Sequence, residues 1–224
     1  MWQSTENTIK YIEDGVLEHL TKMRYLRSIF LQNLINFSNK DSISGSDSLF
    51  LQLTCLREKP KKIMEIGTWI GSSTYSIAQA SDAFIYTCDQ GPDNFYTIEG
   101  QELYTDRIIR HPETHSLEFL ENLDGGFDFV FVDGWIVDDD VKGIFDKCED
   151  KFTFITHDYY RLEKSKPVFC KGHHAAKRMI KYAWKNGYEF ELYPASPDWY
   201  GLGCYVERFG GINSCCAMIK FERI

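Results

Sequence analysis

The sequence predicts an α/β protein: one Rossmann-like, doubly wound and mostly parallel sheet, preceded by a helical N-terminal addition. Three observations predict it. Runs such as Phe129-Val130-Phe131-Val132 are apolar at every position, as strands covered on both faces must be. These runs alternate with helical or loop stretches, the pattern of strands joined by crossovers. At 62–74 a buried strand, a glycine turn and a helix start follow one another directly, in Lys62-Ile63-Met64-Glu65-Ile66-Gly67-Thr68-Trp69-Ile70-Gly71-Ser72-Ser73-Thr74.

Each element has its own signal. Apolar residues recur in steps of three and four at Ile9, Ile12, Val16, Leu20, Met23, Leu26, Phe30, Leu34 and Phe37, one face of a helical segment. The stretch 38–46 is polar and rich in turn formers, so it is a loop, with Ser46 or Asp47 capping a helix that runs to about Arg57. Strands are expected at 62–67, 83–89, 107–111, 127–133 and 152–157. An amphipathic helix over 172–186 carries apolar Ala175, Ala176, Met179, Ile180, Ala183 and Trp184 and ends at Gly187. Further strands follow at 188–193, 201–209 and 215–221. Residues 1–45 thus form a helical segment, read as a lid or a homodimer contact, and 46–224 a single ligand-binding domain.

Composition narrows the function. The chain has 224 residues, 43% hydrophobic and 26% charged, enough for one real core and too apolar for disorder. A formal charge of -8 argues against a general affinity for nucleic acid and toward a small-molecule partner. No stretch approaches the length of a membrane span, and the start lacks a cationic segment followed by an apolar run, so a cytoplasmic protein is expected. Seven cysteines without a Cys-x-x-Cys pair read as reduced core thiols.

In open α/β sheets ligands bind outside the carboxyl ends of the strands. The expected strand ends here are Glu65-Ile66-Gly67, Asp89, Asp133-Gly134-Trp135 and His157-Asp158. Gly67 and Gly71 permit positive φ and a close approach, and the amides opening the next helix are donors. Glu65 suits an ammonium group and repels a diphosphate, which points to S-adenosylmethionine, a nucleoside with an amino-acid tail. Asp89 offers two carboxylate oxygens to ribose hydroxyls. A nicotinamide site would want Gly-x-Gly-x-x-Gly in this turn, which the chain lacks.

Glu65-Ile66-Gly67-Thr68-x-x-Gly71-x-Ser73-Thr74, Asp89, Phe127-Asp128-x-Val130-Phe131-Val132-Asp133-Gly134 and His157-Asp158-Tyr159 together resemble the class I S-adenosylmethionine-dependent methyltransferases. They are most similar to the catechol-type O-methyltransferases and to relatives acting on natural products. The resemblance implies a seven-stranded sheet and methyl transfer to a hydroxyl of a small molecule. It implies that Glu65, Gly67 and Gly71 border the methionine part of the donor, Asp89 the ribose, and Ser116 with Trp135 the adenine, with Thr68, Ser73 and Asp133 also among the donor-binding residues.

The catechol-type relatives also bind a divalent cation through an acid ending the fourth strand and an Asp-Asn pair ending the fifth. Asp133 matches the first, whereas His157-Asp158 replaces the pair. The lysine base that those relatives carry three residues after the strand-four acid is Ile136 here. Two arrangements stay open: Asp133, His157 and Asp158 hold Mg2+ or Mn2+, or the site is metal-free and His157 is the general base. A catalytically inactive nucleoside-binding module and a hydroxylase of antibiotics on the same scaffold are the rival readings. Asp138-Asp139-Asp140 reads as a helix start, His173-His174 as surface residues or metal ligands, and Tyr159-Tyr160, Trp199-Tyr200 and Trp69 as pocket or core aromatics.

Overall fold

Apolar runs bounded by turn residues become strands close to where the sequence predicts them. The computed structural model describes residues 43, 45–92, 106–163, 166–169, 171–194 and 216–224. The chain enters with helix α1 (Gly45–Glu58), strand β1 (Lys62–Ile66), α2 (Ser72–Ala80), β2 (Phe84–Cys88) and β3 (Ile108–His111). It continues through α3 (Ser116–Asn122), β4 (Phe127–Val132), α4 (Asp138–Lys147) and β5 (Cys148–Thr156). A hairpin of β6 (Tyr160–Glu163) and β7 (Lys166–Phe169) precedes α5 (Lys171–Lys185), β8 (Tyr188–Pro194) and β9 (Ala217–Arg223). The expected helix over 9–37, the strand over 201–209, Trp199 and Tyr200 lie outside the described residues.

The seven-stranded sheet has the order β3-β2-β1-β4-β5-β9-β8. Strands β1 to β5 pair in parallel, and β9 runs antiparallel to both neighbours. Strand order reverses between β1 and β4, the switch point at which such sheets open a crevice. Alternate residues of each strand feed opposite cores. Ile63, Phe129, Phe131 and Ile155 pack with Phe50, Leu51 and Ile77 of α1 and α2. Met64, Val130, Val132 and Phe154 pack with Phe119, Ile144 and Met179 of α3, α4 and α5. Helices therefore cover both faces, which is why the central strands are apolar throughout.

Two differences from the expected elements matter for the site. The residues between the fifth strand and the amphipathic helix form the β6–β7 hairpin, a pairing that no local pattern announced. Asp47 is not a helix cap. It lies inside the first turn of α1 and is buried, with its carboxylate turned to the sheet's fifth strand.

Candidate active site at the carboxyl edge of the sheet

The glycine turn is shaped by its neighbours in the sheet. Gly67 has φ +99°, and a Cβ there would stand 2.9 Å from the carbonyl carbon of Asp133. Its missing side chain thus admits the end of β4, where the sequence suggested room for a ligand. The Gly67 and Thr68 amides donate to Cys88 O, and the Asp133 amide to Ile66 O, so β1, β2 and β4 are tied together past their last ladder bonds. Trp69 also takes positive φ, 47°, a conformation costly for a bulky residue. Asp89 holds it there, accepting from the Trp69 amide at 2.7 Å through Oδ2 and from the Gly91 amide at 2.7 Å through Oδ1. Each oxygen keeps a second lone pair for a ligand hydroxyl. Gly71, at φ +83°, is the N-cap of α2. The Thr68 hydroxyl meets that of Thr87, which anchors the turn to β2.

Glu65 is fully buried at the end of β1. Thr74 Oγ1 donates to its Oε2 at 2.5 Å, while Oε1 has no hydrogen-bond partner among the described residues. Burial pushes its carboxyl up to about 7, against the pull of the neighbouring Ser73, Thr74 and Thr87 hydroxyls. A buried acceptor lacking a donor, beside a glycine turn, suits the ammonium of an amino-acid tail. A carboxyl whose folded pKa exceeds its ordinary 4.5 contributes stability that is intact below 4.5 and lost as pH rises through about 7. The ligand-free protein is therefore expected to lose about 3 kcal/mol of stability between pH 4.5 and 8 from this group. Melting curves across that range check it, and Glu65→Gln removes this part of the slope.

On the other side of the switch point lies a cluster of charged groups. Asp133 follows β4, and His157 and Asp158 follow β5, with the His157 amide donating to Val132 O. His157 Nδ1 lies 2.8 Å from Asp133 Oδ1 and 3.6 Å from Asp158 Oδ1, and Nε2 lies 3.3 Å from Asp47 Oδ2. The ring bridges carboxylates on both sides, so a proton on either nitrogen finds an acceptor. Lys171, the first residue of α5, brings its ammonium 3.0 Å from Asp133 Oδ1 and 3.3 Å from Asp158 Oδ2. It also donates to Asp133 O at 2.9 Å. Burial alone would lower the Lys171 pKa, but the two carboxylates outweigh it and hold the amine above its ordinary value. Burial likewise raises the Asp133 carboxyl, and His157 with Lys171 reverses the sign, leaving it below the usual range. Sequence reasoning found Asp133, His157 and Asp158 and missed Lys171 and the role of Asp47.

The helix start explains how the lysine gets there. Gly172 packs its backbone onto the end of β5, where a Cβ would stand 2.0 Å from His157 O, and its amide donates to Asp158 O at 3.0 Å. Asp158 turns the chain with φ 52°.

Asp133, His157 and Asp158 each offer a ligand atom within 4.8 Å of the others, a spacing that a cation could bridge. The room between the two carboxylates, however, holds the Lys171 ammonium. A dication about 3 Å from an ammonium is opposed by on the order of 10 kcal/mol at an effective dielectric of 20. With Lys171 in place the group does not fit Mg2+ or Mn2+.

The remaining candidates sit nearby in sequence order. Ser116 is the first residue of α3, after His115 at the N-cap position, and donates to Asp140 Oδ1 at 2.8 Å. Asp140 is buried and accepts the Val137 amide through its other oxygen, so the acidic triplet does start α4, with Asp138 paired to Arg178. Trp135 is 61% exposed with its ring 6.1 Å from that of His174, and Trp69 is 50% exposed. Tyr159 is buried against His173. Cys55, Cys88, Cys148 and Cys216 are free thiols. No helix among the described residues is long and apolar enough to cross a membrane.

Residues 64–159 match the family described as "Methyltransferase domain". No curated protein matches the sequence. Among solved structures, a putative O-methyltransferase from Klebsiella pneumoniae is 14% identical, with a TM-score of 0.56 over 88% of this chain and 89% of that one. An S-adenosylhomocysteine-bound methyltransferase of Podospora anserina gives 17% and 0.57, over 94% and 88%. An O-methyltransferase of tomaymycin synthesis from Streptomyces achromogenes, in complex with S-adenosylmethionine, gives 16% and 0.54, over 88% and 89%. At such identities the likeness is one of fold.

Proposed function

We propose that this chain, a class I methyltransferase by its matched domain and its sheet, moves the methyl group of S-adenosylmethionine onto a hydroxyl of a small molecule. The observation that carries the reading is the division of labour across the switch point. One side has a glycine turn, a partnerless buried carboxylate oxygen on Glu65 and the oriented carboxylate of Asp89. The other has Asp133, His157, Asp158 and Lys171 in mutual contact. The first set suits a nucleoside with an ammonium tail, with Thr68, Gly71 and Ser73 lining the same turn, and Ser116 and Trp135 following β3 and β4 toward a base. The second suits an acceptor that must lose a proton. The O-methyltransferases of similar fold support the choice of oxygen as acceptor.

Sulfonium donors already carry a good leaving group, so the protein's task is to orient the acceptor and take its proton. The acceptor oxygen attacks the methyl carbon, the C–S electron pair returns to sulfur, and the hydroxyl proton passes to the hydrogen-bonded Asp133–His157 pair, which titrates as a unit. The products are a methyl ether and S-adenosylhomocysteine. Asp158 has 40% of its side chain exposed and is the member best placed to hold an incoming hydroxyl.

Isothermal titration with S-adenosylhomocysteine tests the donor half. The expected result is saturable binding that Asp89→Ala weakens about tenfold or more, the loss of charge-assisted hydrogen bonds. No binding at millimolar concentration overturns the reading. Incorporation of labelled methyl from the donor into a panel of phenols, sugars and hydroxylated antibiotics then identifies the acceptor class and excludes a hydroxylase.

A further inference from the structure

We propose that the Lys171 ammonium permanently takes the place of a divalent cation between Asp133 and Asp158, so that this site orders its carboxylates without a metal. The inference rests on the methyltransferase reading for its meaning but on geometry for its content. An ammonium has three N–H donors. Here all three have acceptors: Asp133 O at 2.9 Å, Asp133 Oδ1 at 3.0 Å and Asp158 Oδ2 at 3.3 Å. A hard cation would draw on the same side-chain oxygens.

Nor is the lysine a surface side chain that happens to fold inward. It is the residue before Gly172, and Gly172 sits so close to His157 O and Asp158 C that only a residue without a Cβ fits. The backbone of α5 is thereby seated on β5, and its first side chain delivered to the cluster. His157 completes the arrangement by occupying Asp133 Oδ1 from the other side. Lys171 is a positioning residue: it fixes the two carboxylates and balances their charge, while the Asp133–His157 pair takes the proton.

The test is manganese binding to the full-length protein, followed by electron paramagnetic resonance of free Mn2+. Wild type is expected to show no site tighter than millimolar. Lys171→Met, which keeps the length and removes the charge, is expected to gain one Mn2+ site at least tenfold tighter, and Lys171→Met/Asp133→Asn to lose it again. Lys171→Arg, which keeps the charge, is expected to remain without a site. Micromolar Mn2+ binding by wild type overturns the proposal, and that measurement needs no variant to fold. A folded Lys171→Met protein with no gained site overturns it as well. S-adenosylhomocysteine titrated into the same samples reports separately on the methyltransferase reading. Its failure to bind would sink that reading and leave the manganese comparison intact.

Discussion

Asp133→Asn is expected to lower methyl transfer by about 10²- to 10³-fold, the usual worth of a positioned proton acceptor. Its affinity for S-adenosylhomocysteine should change by less than about threefold. The contrast follows from what Asp133 touches. Its backbone amide and carbonyl serve the fold, holding Ile66 and receiving Lys171, and an asparagine keeps both. Its carboxylate meets His157 Nδ1 and adds a second contact to Lys171 Nζ. The substitution therefore removes a charge from the acceptor half and leaves the glycine turn, Glu65 and Asp89 untouched. Initial rates at saturating donor, alongside calorimetric affinities, separate the two effects. An unchanged rate removes Asp133 from the chemistry, and a lost donor affinity with a normal rate at saturation reverses the assignment of halves.

Gly172→Ala should be the most damaging single methyl group in the described chain. A Cβ there would meet His157 O at 2.0 Å, Thr156 Oγ1 at 2.7 Å and Asp158 C at 2.9 Å. Two of these atoms are backbone and cannot swing aside, so α5 must lift off β5. The expected loss is about 3 kcal/mol or more, roughly 10 °C in melting temperature for a protein of this size. Because Lys171 moves with the helix, methyl transfer should fall further than stability does at a temperature where the protein remains folded. A melting temperature within about 2 °C of wild type shows that α5 is seated by other contacts. Gly187→Ala gives the matched comparison: it sits at φ +73° with no atom within 4 Å of a new Cβ, so only the backbone strain is paid, about 1 kcal/mol.

The half proposed to hold the donor was legible as a cluster of strand ends because its signals are local. Glu65, Gly67 and Gly71 follow one strand in an unbroken run, and the acids at 89 and 133 each end an apolar strand, so chain order and the rule about carboxyl edges place them together. The reason for Gly67 was not legible, since it depends on how closely β4 approaches β1. The charged cluster proposed to serve the acceptor was read only in part. Asp133, His157 and Asp158 end strands, but Lys171 opens a helix after a hairpin and Asp47 lies in a helix far earlier in the chain. In the sequence Asp47 resembled a cap, because a cap and a buried ion-pair partner look alike before the sheet is assembled. One clue to Lys171 was available. Ile136 stands where catechol-type relatives carry a lysine, and a glycine at the very start of a helix, as at 172, marks a close backbone approach that would bring its neighbour inward.

Asp47 has one consequence for how the protein comes into being. Its carboxylate meets His157 across 110 residues of sequence, and Cys216 Sγ donates to it at 3.6 Å across 169. Contacts of such separation form late, because their loops must close before they are rewarded. Refolding followed by circular dichroism should thus recover helix and sheet signal before any capacity for turnover returns. Until α1 has docked on the sheet, His157 lacks the Asp47 carboxylate at its Nε2. Turnover is then expected to return last on refolding, and detachment of α1 alone is expected to withdraw it.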